Sequence, residues 1–181
     1  VANPTNHAYF NLSGNPYETV ETHFLKINAN YFTETDDDQL PTGELAEVEG
    51  TMMDFRESKQ IGRDIDKPFR AVIDGIGYDN NFCLYKKDFT LQEAAVLEHK
   101  ESGRVLEVFT DLPGIQLYCG GWLAKQGNPG KANGKVIYRR GAALETQFYP
   151  DTVHFADVFP SRFVKANEEF KTTTEFRFSV K

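Results

Sequence analysis

Phe170-Lys171-Thr172-Thr173-Thr174-Glu175-Phe176-Arg177-Phe178-Ser179-Val180 runs almost to the end of the chain. On an extended backbone Phe170, Thr172, Thr174, Phe176, Phe178 and Val180 fall on one side, and Lys171, Thr173, Glu175, Arg177 and Ser179 on the other. Strand side chains alternate between two faces, so a period of two with an apolar and a polar side predicts a half-buried antiparallel strand. The aromatic and β-branched residues of this stretch suit a pleated surface better than a helix.

The same period recurs upstream. Leu25, Ile27, Ala29 and Tyr31 share one side, with Phe24, Lys26, Asn28 and Asn30 between them. Two apolar stretches, at 96–97 and 105–109, flank Glu101-Ser102-Gly103, which predicts a hairpin. Ile115, Leu117 and Cys119 alternate with Gln116 and Tyr118, and Ala143, Glu145, Gln147 and Tyr149 alternate with Leu144, Thr146 and Phe148. The 52–61 stretch has room for a helical turn, closely bounded by Gly50, Gly62 and Pro68. Loops are marked by Asp36-Asp37-Asp38, by Asp74-Gly75-Ile76-Gly77 and by the Gly-rich 127–134 stretch, where Asn133-Gly134 predicts a hairpin turn. No internal repeat or linker divides residues 1–181, and 40% hydrophobic content suits one domain with a sizeable core. The expected fold class is all-β, an antiparallel β-sandwich.

Composition narrows the function. A net charge of -7 supplies no excess of Lys or Arg to neutralise phosphates, which argues against a nucleic-acid partner. No apolar run is long enough to span a membrane, and no secretory signal is visible. Cys83 and Cys119 lie in apolar strand-like runs, which reads as buried free thiols in a reducing, cytoplasmic setting. The histidines, His7, His23, His99 and His154, show no metal-ligand spacing. Asp36-Asp37-Asp38 lacks the alternation and following Gly of a calcium loop, and the 127–134 loop lacks the Lys-Ser/Thr ending of a phosphate loop. The reading is no metal and no cofactor.

Four polar residues stand out. Glu145 places a carboxylate on a face with Gln147 and Tyr149, where partial burial would raise its pKa toward a working value for a base; the plain alternative is a solvated strand face. His7 offers an imidazole, the side chain most readily protonated near neutral pH, beside Asn6, Tyr9 and Asn11; the alternative is an exposed or structural histidine. Asp79 follows a Gly-rich turn at the start of an apolar strand, and Gln116 shares its face with Tyr118. Carboxylate and amide groups read hydroxyls, and an aromatic reads an apolar face, although each residue could equally be a turn or exposed polar.

Asn6-His7-Ala8-Tyr9-Phe10-Asn11-Leu12 resembles the signature of the aldose 1-epimerases, the galactose mutarotase family. Leu40-Pro41-Thr42-Gly43-Glu44, Gly77-Tyr78-Asp79-Asn80-Asn81-Phe82, Pro113-Gly114-Ile115-Gln116-Leu117-Tyr118 and Leu144-Glu145-Thr146-Gln147 follow in that family's order. The resemblance covers roughly the C-terminal half of such a protein. It implies a partial large β-sandwich of the galactose mutarotase type, with an open sugar cleft on one concave sheet. It also implies interconversion of the α and β anomers of free hexoses, with Glu145 as base, His7 as acid, Asp79 and Gln116 as hydroxyl ligands, and a small-molecule aldose as partner. The family's upstream half supplies a second histidine and an Asn-Arg pair that no position here can take. Since the chain starts at Val1 and enters directly on a motif, an absent N-terminal portion, or another copy, is expected to complete it. Asn80 and Cys119-Gly120-Gly121-Trp122 depart from the family pattern beside the expected cleft and bear on substrate preference. Two alternatives stay open: a carbohydrate-binding relative without catalysis, and a sugar-phosphate epimerase, for which Arg139-Arg140 is the only adjacent arginine pair.

Overall fold

The computed structural model describes residues 2–74, 76–85, 88–123 and 138–181. The 127–134 loop and its expected Asn133-Gly134 turn lie outside the described residues. The strands are β1 (Tyr9–Phe10), β2 (Phe24–Ile27), β3 (Ala29–Thr35), β4 (Pro41–Glu47), β5 (Lys59–Gln60), β6 (Asp79–Leu84), β7 (Gln92–His99), β8 (Arg104–Thr110), β9 (Gly114–Tyr118), β10 (Ala142–Gln147) and β11 (Thr174–Val180). Every pairing is antiparallel. They form a six-stranded sheet of order β1-β10-β9-β6-β3-β4 and a five-stranded sheet of order β11-β8-β7-β2-β5. The all-β reading holds, as does the hairpin at 101–103, which joins β7 to β8.

The core lies between the sheets. Phe82, Ile115, Leu117 and Leu144 come from the six-stranded sheet, and Leu25, Ile27, Leu97, Leu106 and Val108 from the other; all are buried in one cluster. Period-two alternation means that each strand of the six-stranded sheet sends its odd or even set away from this core, and register makes those sets coincide. Asp79 lies opposite Tyr118, which lies opposite Ala143; Asn81 opposes Gln116, which opposes Glu145; Gly114 opposes Gln147. The polar residues of three strands therefore share the outer face of one sheet.

Three expectations need correction. The alternation from Leu25 to Tyr31 is not one strand. The chain changes sheets at Asn28, between β2 and β3, and the pairing with β6 slips between Ala29 and Tyr31. Tyr31 therefore leaves the buried set and is exposed, while Phe32 is buried. The 52–61 stretch holds turns and β5 rather than a helix, followed by a 3-10 turn at Ile61–Arg63; the short helix α1 lies at Arg70–Asp74, shortly after Pro68. Lastly, the closing strand covers only Thr174–Val180 and pairs with β8 alone, at the sheet edge. Phe176 packs on the core and Phe10 of the facing sheet meets the Phe176 and Phe178 rings, but Phe178 and Val180 remain 63% and 73% exposed.

Asp36-Asp37-Asp38 forms a turn in which the Asp36 carboxylate accepts from the Asp38 and Leu40 amides. Cys83 and Cys119 are buried free thiols, as expected. Among the described residues, no helix is long and apolar enough to cross a membrane.

Candidate active site

Glu145 lies in the middle of β10, flanked by β9 and β1, and its side chain is only 10% exposed. Burial pushes its carboxyl above the ordinary glutamate value, the charge on His7 draws it partly back, and the nearby Asp79 carboxylate adds to the rise. A carboxylate with a raised pKa is a better proton acceptor than an exposed one.

His7 reaches this carboxylate from a segment that never forms a regular strand. Its Nε2 lies 3.1 Å from Glu145 Oε1, and its side chain is 52% exposed. Residues before it attach to the edge of β10 through side chains instead of a backbone ladder. Asn3 Nδ2 donates to the Phe148 carbonyl at 2.8 Å, Thr5 Oγ1 to the Thr146 carbonyl at 2.8 Å, and Asn6 Nδ2 to the Leu144 carbonyl at 3.4 Å. The Phe148 amide returns a bond to Asn3 Oδ1 at 3.1 Å. Acceptors on alternate residues are what one edge of a strand offers, and Asn and Thr at alternating or adjacent positions answer them. Beyond His7 the two residues of β1 then pair with Ala143 and Ala142.

Asp79 and Gln116 meet across β6 and β9. Gln116 Nε2 donates to Asp79 Oδ1 at 2.8 Å. Burial raises the Asp79 carboxyl, against the lowering effects of this hydrogen bond and of His7. The structure thus brings all four sequence-singled residues to one face of one sheet, as two contacting pairs.

Other groups complete the face. Tyr9 and Tyr118 form an aromatic corner with His7: ring centroids are 4.9 Å apart for His7 and Tyr9, 5.9 Å for His7 and Tyr118, and 6.0 Å for the two tyrosines. Burial, helped by Tyr118 and by the Glu145 and Asp79 carboxylates, pushes the Tyr9 phenol up to about 12, so it stays a neutral hydroxyl donor. Gln147 and Asn81, both buried, lie behind Gln116. Alternation with Leu144, Thr146 and Phe148 put Gln147 on this face, whereas Asn81, next to Asn80, carried no such signal, and strand register, which no local pattern carries, was needed to join them.

Two departures from the family pattern separate here. Asn80 lies opposite Leu117 on the core-facing side, where its Oδ1 accepts from the Asp79 amide, so it does not line the outer face. The Cys119–Trp122 stretch does adjoin it, since the Trp122 amide donates to the Tyr118 hydroxyl at 3.2 Å. The Arg139-Arg140 pair does not gather a phosphate site: Arg139 is buried and holds Glu21 at 2.9 Å and Asp66 at 2.7 Å, and Arg140 lies over the Tyr17 ring.

Among the described residues, one group with metal-ligand potential comprises Glu18, His99 and Glu101, with donor atoms within 4.8 Å of one another. Both His99 nitrogens already have partners, Glu18 Oε1 at 3.1 Å and Ser102 Oγ at 3.0 Å, so the group reads as a hydrogen-bonded latch.

The sequence and the fold match known proteins over nearly the whole chain. The family model described as Aldose 1-epimerase matches residues 1–177. The galactose mutarotase of Bos taurus is 40% identical over 179 residues, 98% of this chain and 50% of its own length. The aldose 1-epimerase of Escherichia coli (strain K12) is 34% identical over 179 residues, 97% of this chain and 50% of its own length. Among solved structures, an aldose epimerase homologue from C. elegans superposes with a TM-score of 0.82 at 29% identity, covering 98% of this chain and 51% of that one. The galactose 1-epimerase of Lactobacillus acidophilus NCFM gives 0.77 at 30% identity, covering 98% and 48%. The chain thus spans about half the length of the curated relatives it matches, and its sheets are of the galactose mutarotase type. The chain belongs to the aldose 1-epimerase family.

Proposed function

We propose that this chain carries the acid–base centre of an aldose 1-epimerase that interconverts the α and β anomers of free hexoses such as galactose or glucose. The observation that carries the reading is the 3.1 Å approach of His7 Nε2 to Glu145 Oε1 beside the Asp79–Gln116 pair.

Anomer exchange needs a proton to leave the hydroxyl on C1 and a proton to reach the ring oxygen. Glu145, ionised, accepts the first. His7, entering as imidazolium, donates the second to the ring oxygen. The C1–O5 bond breaks as the C1 carbonyl forms, leaving neutral carboxyl and neutral imidazole. After the carbonyl turns over, the hydroxyl oxygen re-adds to its other face, His7 recovers its proton and Glu145 returns one to the new C1 hydroxyl. Each step is proton transfer by a positioned side chain, worth about 10²–10⁴-fold in rate. The Asp79 carboxylate and Gln116 amide hold sugar hydroxyls, and Tyr9 and Tyr118 offer ring faces to the apolar side of the sugar. The two buried free thiols fit a reducing, cytoplasmic setting.

Polarimetry of freshly dissolved α-galactose tests the reading. Equilibration faster than buffer, lost in Glu145→Gln, supports it. Saturable sugar binding with no acceleration would instead make this a carbohydrate-binding relative.

A further inference from the structure

Gln147, two residues past Glu145 on β10, has no part in the proton transfers, yet it is buried at the head of a one-way run of hydrogen bonds. Its Nε2 donates to Gln116 Oε1 at 3.3 Å and to Asn81 Oδ1 at 3.2 Å, and Gln116 Nε2 donates to Asp79 Oδ1 at 2.8 Å. An ionised carboxylate only accepts, whereas a glutamine amide has a donor end and an acceptor end of nearly the same shape. The orientation of each amide therefore depends on the next. Turning Gln147 over would set its oxygen against the oxygens of Asn81 and Gln116. Turning Gln116 over in response would set its oxygen against Asp79.

The surroundings favour this direction. Asn81 gives its oxygen to Gln147, and its buried Nδ2 has no partner among the described residues. Gly114 lies opposite Gln147, and a Cβ there would come within 2.6 Å of Asn81 Oδ1, so the missing side chain makes the room for this arrangement.

We propose that Gln147 is a positioning residue for substrate binding: by donating to Gln116 it fixes which end of that amide faces Asp79, and so holds Asp79 as the acceptor for a sugar hydroxyl. This rests on the aldose reading of the site. Besides Gln116, His7 from the leading segment acts on Asp79, and the Asp79 charge in turn reaches Tyr9 on β1, Tyr118 on β9, the Cys119 thiol just past it and Glu145 on β10. Gln147→Met alters none of these groups and adds no charge, so it isolates the relay.

Two variants test it. Gln147→Met removes the donor, and Gln147→Glu offers Gln116 an acceptor instead and so invites its amide to turn over. In both, KM for α-galactose should rise about tenfold, the size expected for loss of one charge-assisted hydrogen bond, with kcat within about twofold. In the sugar-free protein, the NMR titration midpoint of the Asp79 carboxyl carbon should move upward in Gln147→Met, which adds no charge. A fall in kcat at unchanged KM, or an unmoved Asp79 midpoint, would overturn the proposal. Loss of the folded state in both variants would also overturn it, since Gln147 would then serve stability alone. If the unsubstituted protein does not accelerate mutarotation while the Asp79 midpoint moves as stated, the aldose reading fails and the relay stands.

Discussion

His7 and Glu145 meet at 3.1 Å from opposite environments: the imidazole is half exposed and the carboxylate almost enclosed. A base gains from burial because desolvation raises its proton affinity, and an acid gains from exposure because solvent can restore its proton. Glu145→Gln keeps the shape and removes the base. Initial rates of α-galactose mutarotation should fall by about 10²-fold or more, at the low end of what positioned acid–base groups supply. His7→Asn should give a loss of similar order. A Glu145→Gln protein within about threefold of the parent rate would remove Glu145 from the role of base.

The same enclosure sets a pH dependence. The Glu145 carboxyl is raised by burial first, with Asp79 adding and His7 opposing. Only the ionised form accepts a proton, so kcat/KM should fall with acidification at a higher pH than an exposed glutamate would give. For stability the sign runs the other way. A carboxyl that holds its proton more tightly folded than unfolded contributes stability that is complete below the unfolded pKa and lost as pH rises through the folded one. Glu145→Gln should therefore melt above the parent at neutral pH, and the gap should close toward mildly acidic pH. Melting curves of both proteins across that range check this, and a constant gap would show that burial does not perturb Glu145.

The Asn3, Thr5 and Asn6 side chains stand in for a missing strand along β10. Removing the middle one by Thr5→Val deletes the 2.8 Å bond to the Thr146 carbonyl without changing shape much. Stability should drop by about 1 kcal/mol. Because this bond lies two residues from His7, mutarotation should slow several-fold, and Thr5→Ser should restore both. Equal activity in Thr5→Val would show that the Thr5 bond is not needed to hold His7.

Gly114 is required for space rather than for an unusual backbone angle. An added Cβ would meet Asn81 Oδ1 at 2.6 Å and the Tyr149 ring at 3.0 Å. Asn81 is short and buried, so it cannot swing aside, and overfilling of this kind costs about 1–3 kcal/mol. Gly114→Ala should lower the melting temperature accordingly and weaken sugar binding through the amides behind Asp79. Chemical denaturation and a sugar titration of the same sample measure both, and an unchanged midpoint would show that the turn before β9 yields.

Local alternation made the site-bearing strands legible, because β9 and β10 lie inside a sheet whose two faces differ in character throughout. It placed Gln116 with Tyr118 and Glu145 with Gln147. It could not say that Glu145 lies opposite Gln116 or that Gln147 donates to a residue on another strand, since register depends on the whole sheet. The roles proposed for these residues rest on the motif resemblance, since alternation alone left them open. Where alternation misled, the cause was again non-local. At Asn28 the chain leaves one sheet for the other, which no period of two can signal, and at Phe178 the face that looks like core meets the facing sheet at its edge, through Phe10, and stays 63% exposed.

That last exposure has a consequence in solution. β11 ends the five-stranded sheet, so it carries an unpaired backbone edge among the described residues, and Phe178 and Val180 add apolar surface at 63% and 73% exposure. Unprotected edge strands with apolar side chains recruit further strands. Arg177, on the other side of β11, already covers the Phe109 ring at 3.9 Å, so that side is shielded. Phe178→Lys combined with Val180→Thr should reduce concentration-dependent association of this chain, read by sedimentation velocity. Since both side chains are largely in water, each change should alter unfolding free energy by only about 0.5 kcal/mol. Association unaffected by the pair would move the sticky surface elsewhere. A large loss of stability would mean instead that these residues are covered in solution by a second copy of the chain.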